Sequence, residues 1–262
     1  MPTIPKTGGR TLKYLTCLMM MMMTLGSSSV TAAEPVQFKS TEKRAALVEL
    51  FTSEGCSSCP PADAWLSKLE DSPALWREVV PVAYHVTYWD YLGWKDGLAQ
   101  KEFTERQRAY AKAWRSDTVY TPGVVLNGNE WRDWRDRDPA KSQDQTQTGV
   151  LEMASADRKH WQIKFQPAGT ASARYEATVV LLGIGISSDV KAGENRGRKL
   201  GHDFVTLKLK QVTLSPKDGA LTAEIELSDE VKLRAERLAV AVWVSKSGTL
   251  EPLQATGGWL PK

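Results

Sequence analysis

The sequence predicts an α/β domain followed by an antiparallel β-sandwich domain, with the boundary after residue 157. Residues 46–115 alternate between apolar runs of strand length and segments with helical spacing, which favours parallel strands joined by right-handed crossovers. After residue 158, short segments of alternating polarity are separated by clusters of Gly, Pro, Asp and Ser. That second pattern is typical of a β-sandwich.

An export signal is predicted over residues 1–33, ahead of both domains. Lys6, Arg10 and Lys13 precede an apolar run that is too short to span a bilayer as a stable helix. Small residues then offer a cleavage site. We therefore expect the mature protein to be periplasmic or secreted, the alternative being an uncleaved membrane anchor.

The charge balance argues against a nucleic-acid partner. Residues 1–33 hold three of the 34 Lys and Arg and none of the 31 Asp and Glu. The remaining 229 residues are therefore neutral overall, and they contain no basic stripe. No later apolar stretch is long enough to span a membrane.

The stretch VELFTSEGCSSCPPAD, residues 48–63, carries the clearest chemical signal. Cys56 and Cys59 lie between a buried strand and a helix that begins near Pro60. A cysteine at a helix start faces unpaired N–H groups and the positive end of the helix dipole, which stabilise its thiolate. The spacing predicts a catalytic redox pair in which Cys56 is the nucleophile and Cys59 resolves the mixed disulfide.

Two alternatives remain open for this pair. One is a structural disulfide that braces the first helix of a non-catalytic binding or assembly module. The other is a soft copper site formed by Cys56, Cys59 and His85, although a lone strand histidine is more often packed and hydrogen-bonded. Structural zinc needs four ligands, which two cysteines and three scattered histidines do not suggest. The leading hypothesis involves no cofactor.

Five stretches together resemble one protein family. They are VELFTSEGCSSCPPAD, VAYHVTYWDYLGWKD, FTERQRAYA, YTPGVVLNG and GENRGRKL, and they resemble the secreted family known as domain of unknown function 1223. The resemblance runs from about residue 46 to near the C-terminus. It implies a thioredoxin-like domain, residues 34–157, and a β-rich domain, residues 158–262. It implies no established substrate.

The wider thioredoxin-like superfamily implies further site residues. Pro122, preceded by Thr121, is similar to the cis-proline that lies beside the active disulfide and exposes backbone to an incoming peptide. Glu49 is similar in placement to the buried acid that moves a proton to the resolving thiol, or is only a paired strand carboxylate. Gly55 departs from the pattern, which has tryptophan there. The Ser-Ser dipeptide between the cysteines leaves the redox direction open.

An aromatic loop over residues 87–97 contributes two more candidates. Trp89 and Trp94 could form a docking wall for a substrate peptide near the sulfurs, or a satellite core beneath the loop. The later stretch GENRGRKLGHDF offers Arg196 and Arg198, either to bind an anion or to reach the first domain, or as a solvated turn. The sequence therefore predicts thiol–disulfide exchange with the thiols or disulfides of protein partners.

Overall fold

β-Strands dominate the computed structural model, which describes residues 35–142, 146–170, 173–231 and 235–261. Strands hold 45% and helices 13% of these residues. The predicted signal segment, residues 1–33, lies outside the described residues. Within the described ranges, no helix combines the length and the apolar composition needed to cross a membrane.

Fourteen strands and two α-helices make up the described part of the chain. The strands are β1 (Val36–Lys39), β2 (Ala46–Thr52), β3 (Val79–His85), β4 (Gly123–Leu126), β5 (Asn129–Glu130), β6 (Gly149–Ser155), β7 (His160–Pro167), β8 (Tyr175–Ile184), β9 (Ile186–Asp189), β10 (Lys199–His202), β11 (Val205–Lys217), β12 (Ala220–Glu226), β13 (Arg237–Lys246) and β14 (Pro252–Trp259). The α-helices are α1 (Pro60–Ser67) and α2 (Lys101–Ala113), and short 3-10 helices cover Lys68–Asp71 and Asp90–Leu92.

Twelve of the described strands join one mixed sheet, and β9 pairs with β10 in a separate hairpin. β2 and β3 are parallel, as α1 between them requires, and β4 is antiparallel to β2. β3 then pairs in parallel with β11, where Ala83 lies opposite Val205. The sheet therefore continues across the predicted boundary after residue 157.

β8 and β13 lie between two hydrophobic cores. Val180 and Leu182 of β8 belong to the core that contains α1, β2 and β3. Val179 and Leu181, which alternate with them, belong to the core formed with β6 and β7. β13 alternates between the two cores in the same way. Both strands are consequently apolar on both faces.

The predicted fold class is therefore wrong. The structure is mostly β-sheet with one large mixed sheet, and not an α/β thioredoxin-like domain followed by an antiparallel β-sandwich. The physical reason lies in β8 and β13, because strands with two apolar faces must be covered on both sides. The core around β2 and β3 covers one of these sides.

Individual elements were predicted more successfully than their assembly. The spacing of Phe103, Tyr110 and Trp114 predicts a helix from about Leu98 to Arg115, where the structure has α2, and the short segments after residue 158 form strands. Asp138 and Pro139 resemble an N-cap and a first helical residue, which predicts a polar helix that ends near Ser155. That prediction is wrong, because residues 149–155 form β6. In β6 the buried and half-buried residues alternate, which is the period of a strand and not of a helix.

Candidate functional site at the cysteine pair

Cys56 and Cys59 form a disulfide in the loop between β2 and α1. A tight turn holds them, since the Cys56 N–H donates to Ser53 O at 3.1 Å and the Cys59 N–H donates to Cys56 O at 3.2 Å. Cys56 is 1% and Cys59 is 0% exposed. The disulfide is therefore formed but covered by surrounding groups.

The start of α1 offers fewer N–H donors to Cys56 than the motif suggests. Cys59 is the N-cap of α1, so Cys56 lies before the helix. The first two helical residues are prolines, which have no N–H, and the next two N–H groups donate to the Cys59 carbonyl. Stabilisation of a Cys56 thiolate must therefore come largely from other groups.

The Thr121–Pro122 step lies beside the disulfide. The Thr121–Pro122 peptide bond is cis. The Cys56 Sγ is 3.7 Å from the Thr121 carbonyl oxygen and 3.3 Å from the Ser58 hydroxyl. Cys56, Thr121 and Pro122 are thus brought together from separate parts of the chain.

Both candidate tryptophans of the aromatic loop donate hydrogen bonds inside the protein. Trp89 Nε1 donates to Thr121 Oγ1 at 2.7 Å, and Trp94 Nε1 donates to Glu54 Oε2 at 2.6 Å. Trp89 also approaches Gly55 closely, because a Cβ on Gly55 would lie 2.8 Å from the Trp89 Cβ. The glycine before Cys56 therefore makes room for Trp89, and both tryptophans hold the aromatic loop against the cysteine loop.

Glu49 belongs to a buried polar cluster with α2, which we call the Glu49 triad. Arg106 Nε donates to Glu49 Oε1 at 2.6 Å, and the Tyr110 hydroxyl donates to Glu49 Oε2. Burial lowers the pKa of Arg106, but the negative charge of Glu49 outweighs that effect and keeps this pKa well above its ordinary value. In the described part of the chain, the side-chain hydrogen bonds of Glu49 all stay inside the triad.

A second buried polar cluster adjoins the cysteine loop on the α1 side of β2, and we call it the His85 cluster. Its members are Thr52, Glu54, Asp63, His85, Asp96 and His202, none of which is more than 7% exposed. His85 Nδ1 is 2.8 Å from Asp96 Oδ2, and Asp96 also accepts the Glu54 N–H at 2.9 Å. The His202 ring packs edge-on against His85, with 4.8 Å between the ring centroids.

Several buried atoms of the His85 cluster have no hydrogen-bond partner among the described residues. They are Thr52 Oγ1, Glu54 Oε1, His85 Nε2 and both ring nitrogens of His202. His202 Nε2 lies 3.4 Å from Glu54 Oε1, but the two atoms are not aligned as a hydrogen bond. The cluster is therefore only partly satisfied, unlike the Glu49 triad.

Protonation in the His85 cluster is shifted in opposite directions. Burial lowers the pKa of His85, but the charge and the hydrogen bond of Asp96 outweigh burial and raise this pKa overall. Burial raises the pKa of Asp96, and His85 outweighs that effect, so the Asp96 pKa is lowered. Burial dominates at Asp63 and raises its pKa. The cluster thus combines a charged pair with a carboxyl group that retains its proton more strongly.

The copper alternative gains no support from the structure. His85 Nδ1 is occupied by Asp96. Within the described ranges, no group of three His, Cys, Asp or Glu side chains is arranged to hold a metal ion. His85 is instead a packed and hydrogen-bonded strand histidine, next to a second histidine that the sequence did not suggest.

The loop between β9 and β10, residues 190–198, packs on the cysteine loop. Asn195 is fully buried, and its Nδ2 donates to Glu54 O and to Cys56 O, each at 2.9 Å. Glu194 Oε2 accepts the Ser57 N–H at 2.9 Å and the Ser57 hydroxyl at 2.7 Å. The cysteine loop is therefore completed by residues far away in the sequence.

An open groove lies next to the Thr121–Pro122 step. Its volume is about 450 Å³, and its apolar lining includes Phe51, Trp114, Val119 and Val124. Glu130 also lines it, and accepts a hydrogen bond from the Tyr120 hydroxyl at 2.5 Å.

Comparison with known proteins places this arrangement in a family. The model of the family described as protein of unknown function DUF1223 matches residues 47–245. The chain belongs to the DUF1223 family. No curated protein matches the chain.

Two solved structures resemble this DUF1223 chain. A crystal structure of a protein from Agrobacterium tumefaciens is 28% identical, with a TM-score of 0.56, and the match covers 84% of this chain and 94% of that one. HBP35 of Porphyromonas gingivalis is 15% identical, with a TM-score of 0.54 over 84% of this chain and 76% of that one. At that identity the second likeness concerns the fold alone.

Sequence reasoning missed five polar residues of this DUF1223 site. They are Glu54, Asp63, Glu194, Asn195 and His202. The stretch GENRGRKLGHDF was singled out for its cations, yet Glu194 and Asn195 make the contacts with the cysteine loop. Arg198 contributes indirectly, since its Nη1 donates to Asn195 Oδ1 at 2.7 Å. The stretch itself was recognised, but no local pattern showed which of its residues contact the cysteine loop.

Proposed function

We propose that this DUF1223 protein exchanges thiols and disulfides with protein partners, with Cys56 as nucleophile and Cys59 as resolving cysteine. The observation that carries the proposal is the Cys56–Cys59 disulfide beside the cis Thr121–Pro122 step, with the Cys56 sulfur 3.7 Å from the Thr121 carbonyl. A sulfur next to the backbone carbonyl that precedes a cis-proline suits attack on a cystine held in an extended peptide.

The proposed reaction begins with the reduced pair. The Cys56 thiolate attacks one sulfur of the partner disulfide, a new S–S bond forms, and the other partner cysteine leaves as a thiolate and takes up a proton. Cys59 loses its proton and attacks Cys56 Sγ, which releases the second partner cysteine. The partner disulfide is thereby reduced by two electrons, and the Cys56–Cys59 dithiol is oxidised to the disulfide. The reverse sequence oxidises a partner.

A buried Cys59 requires a nearby proton acceptor in this reaction. Asp63 follows Cys59 by four residues, the spacing that places two side chains on one face of a helix. Asp63 is 7% exposed, and burial raises its pKa. We assign to Asp63 the exchange of a proton with the Cys59 thiol, a role that the sequence had offered to Glu49.

A polypeptide partner outside the cytoplasm fits the remaining features. The groove of about 450 Å³ lies next to the Thr121–Pro122 step and has a partly apolar lining that can take a side chain of a bound peptide. The cationic and apolar pattern of residues 1–33 is that of an export signal. Export to the periplasm or beyond would place the cysteine pair where disulfides persist.

Trapping of mixed disulfides tests the proposal. A Cys59→Ser variant cannot resolve the intermediate, so we expect partner proteins joined through Cys56 in cell extracts quenched with acid. The matched control is the Cys56→Ser/Cys59→Ser double variant, which should trap none. Mass spectrometry of non-reduced peptides identifies the joined cysteines. Equal recovery from both variants, or from neither, would overturn the proposal.

A structural disulfide in a binding or assembly module is the second candidate. The burial of both cysteines favours it, as do the side chains that hold the loop. On this hypothesis the Cys59→Ser variant unfolds at a lower urea concentration than the wild type but traps no partner. The same pair of variants therefore separates the two functions.

A further inference from the structure

The loop of residues 190–198 lies where it can control the reactivity of the cysteine pair. Asn195 holds two carbonyl groups of the cysteine loop, and Gly193, which precedes Glu194, has a positive φ of 75° that suits glycine. Glu194, the residue between them, is exposed, yet its carboxylate accepts both hydrogen bonds that Ser57 offers. The position of Glu194 is therefore fixed by its neighbours.

The Ser57 N–H is the backbone donor that directly follows Cys56. Donors in this position normally stabilise a cysteine thiolate at the start of a helix. The prolines that open α1 supply no N–H, and the two N–H groups after them are bound by the Cys59 carbonyl. Glu194 therefore occupies one of the few backbone donors that remain near the Cys56 sulfur.

The negative charge of Glu194 also disfavours the Cys56 thiolate. A carboxylate near a thiol disfavours the thiolate, because two like charges come close together. Two acidic side chains accept hydrogen bonds from the cysteine loop in the described structure, namely Asp96 and Glu194, and a third acid, Glu54, belongs to the loop itself. Asp96 and Glu54 lie buried in the His85 cluster, whereas Glu194 contacts the residue next to Cys56.

We propose that Glu194 is a positioning residue that keeps Cys56 weakly acidic and so biases the pair toward the disulfide. This inference rests on the proposed exchange function and deepens it by assigning the control of redox direction to the β9–β10 loop. A less stable thiolate destabilises the reduced form, so the disulfide becomes a weaker oxidant. Glu194 would thus favour transfer of electrons to a partner disulfide.

The test compares Glu194→Gln with the wild type. Glutamine retains an oxygen that accepts from Ser57 but has no charge. The matched control is Asp189→Asn, which removes an exposed carboxylate from β9 in the same hairpin. Every protein also carries Cys17→Ser, so that only Cys56 and Cys59 remain as thiols. Thermal unfolding of the oxidised proteins checks that each variant is folded.

Two readouts decide the outcome. The pH dependence of iodoacetamide labelling should give a Cys56 thiol pKa that is lower by about one unit in Glu194→Gln. The equilibrium constant with glutathione should shift about tenfold toward the dithiol, which is about 30 mV for a two-electron couple. A shift no larger than that of Asp189→Asn, or in the opposite direction, overturns the inference.

These readouts do not depend on a physiological partner. If Cys59→Ser traps no partner, the proposed function fails, yet the labelling pKa still reports on Glu194. If Cys59→Ser traps partners while Glu194→Gln leaves the pKa unchanged, only the role of Glu194 fails. If Cys59→Ser traps no partner and Glu194→Gln does not change the Cys56 pKa, a structural disulfide is the better explanation of the cysteine pair.

Discussion

Two buried polar clusters on opposite faces of β2 differ in how completely their hydrogen bonds are made. In the Glu49 triad, both carboxylate oxygens of Glu49 accept hydrogen bonds, from Arg106 and from Tyr110. In the His85 cluster, ring nitrogens of both histidines and one oxygen of Glu54 have no partner in the described structure. The first cluster is thus a closed network, and the second is an open one.

Both clusters place polar groups in the protein interior, but only the Glu49 triad provides hydrogen-bond partners for all of its carboxylate oxygens. A buried charge is tolerated only when it is paired and hydrogen-bonded, which describes Glu49 and Arg106. An unsatisfied buried polar atom costs about 1 to 3 kcal/mol, so the His85 cluster is retained against a cost. The His85 cluster adjoins the cysteine loop, where one of its carboxyl groups could exchange a proton with a cysteine. The Glu49 triad does not adjoin that loop.

The largest expected loss of stability follows from removing the charge of Glu49 from the triad. Glu49→Gln leaves the buried Arg106 charge without its partner, and we expect a loss of about 3 to 5 kcal/mol in the free energy of unfolding. Urea unfolding of the oxidised protein at neutral pH measures it. The iodoacetamide labelling pKa of Cys56 should remain that of the wild type.

The matched control removes both charges. In Glu49→Gln/Arg106→Gln no buried cation is left unpaired, so part of the lost stability should return. A double variant as unstable as the sum of its single variants would show that the two side chains do not act as a pair. A clear change in the Cys56 pKa of Glu49→Gln would instead restore Glu49 as a proton relay.

Glu49 also shows how far sequence could lead at this site. A lone acid in an apolar strand run must be paired, and the paired-carboxylate alternative was already available from the sequence. Its partner Arg106 lies in the stretch FTERQRAYA, which the sequence marked as part of the family resemblance. Nothing local linked the two residues, because the pairing depends on which face of α2 packs on β2.

The cysteine pair was predicted from local signals, and the cis-proline from the resemblance to the thioredoxin-like superfamily. Cys56, Cys59 and the cis-proline Pro122 form one constellation in the structure. Glu194 and Asn195 could not be assigned, since a hairpin that lies about 140 residues further along the chain brings them to the cysteine loop. Contacts of that kind depend on the assembly of the sheet, which no local pattern determines.

The error in the fold class has a specific origin. Continuous apolar runs were interpreted as doubly buried strands in β2 and β3, but not in β8 and β13. The run TVVLLGI in β8 carries the same signal, whereas β7 alternates between exposed and buried residues. A consistent interpretation would have predicted that β8 has a second covering layer and belongs to a larger sheet.

The second largest expected loss of stability comes from disrupting the pair of His85 and Asp96 in the His85 cluster. Asp96→Asn removes the acceptor that binds His85 Nδ1 and the Glu54 N–H. Hydrogen bonds to charged groups contribute more than neutral ones, so we expect a loss of about 2 to 3 kcal/mol. Urea unfolding across the pH range measures it.

The pH dependence of that loss has a defined sign. The folded-state pKa of His85 is raised, so its stabilisation is present below the unfolded value of about 6.5 and is lost as pH rises through the folded pKa. The Asp96 pKa is lowered, so its stabilisation is present above about 3.9 and is lost as pH falls through the folded pKa. The gap between wild type and Asp96→Asn should therefore be widest between these limits.

An exposed pair of the same chemistry provides the control. His160 Nδ1 lies 2.6 Å from Asp157 Oδ2 at the surface. Water screens such a pair, so Asp157→Asn should change stability much less than Asp96→Asn. Equal losses from the two variants would mean that burial does not distinguish the His85 cluster, and the contrast with the surface would disappear.

The smallest expected effect on stability concerns Asp63, the member of the open cluster assigned to Cys59. Burial raises the folded-state pKa of Asp63, so the folded protein binds more protons than the unfolded chain, and stability falls as pH rises from about 4 through the folded pKa. Asp63→Asn removes that dependence. We expect the variant and the wild type to have similar free energies of unfolding in acid. As pH rises, the variant should become more stable than the wild type by up to about 1 kcal/mol.

Kinetics separates this stability effect from a role in exchange. If Asp63 accepts the Cys59 proton, Asp63→Asn should release glutathione from a Cys56 mixed disulfide more slowly, and the rate should rise with pH as Cys59 ionises without help. Asp71→Asn, an exposed carboxylate just beyond α1, is the control. An unchanged release rate in Asp63→Asn would leave the open cluster without a proton acceptor for Cys59, and its incomplete hydrogen bonding would then have to be explained by structure alone.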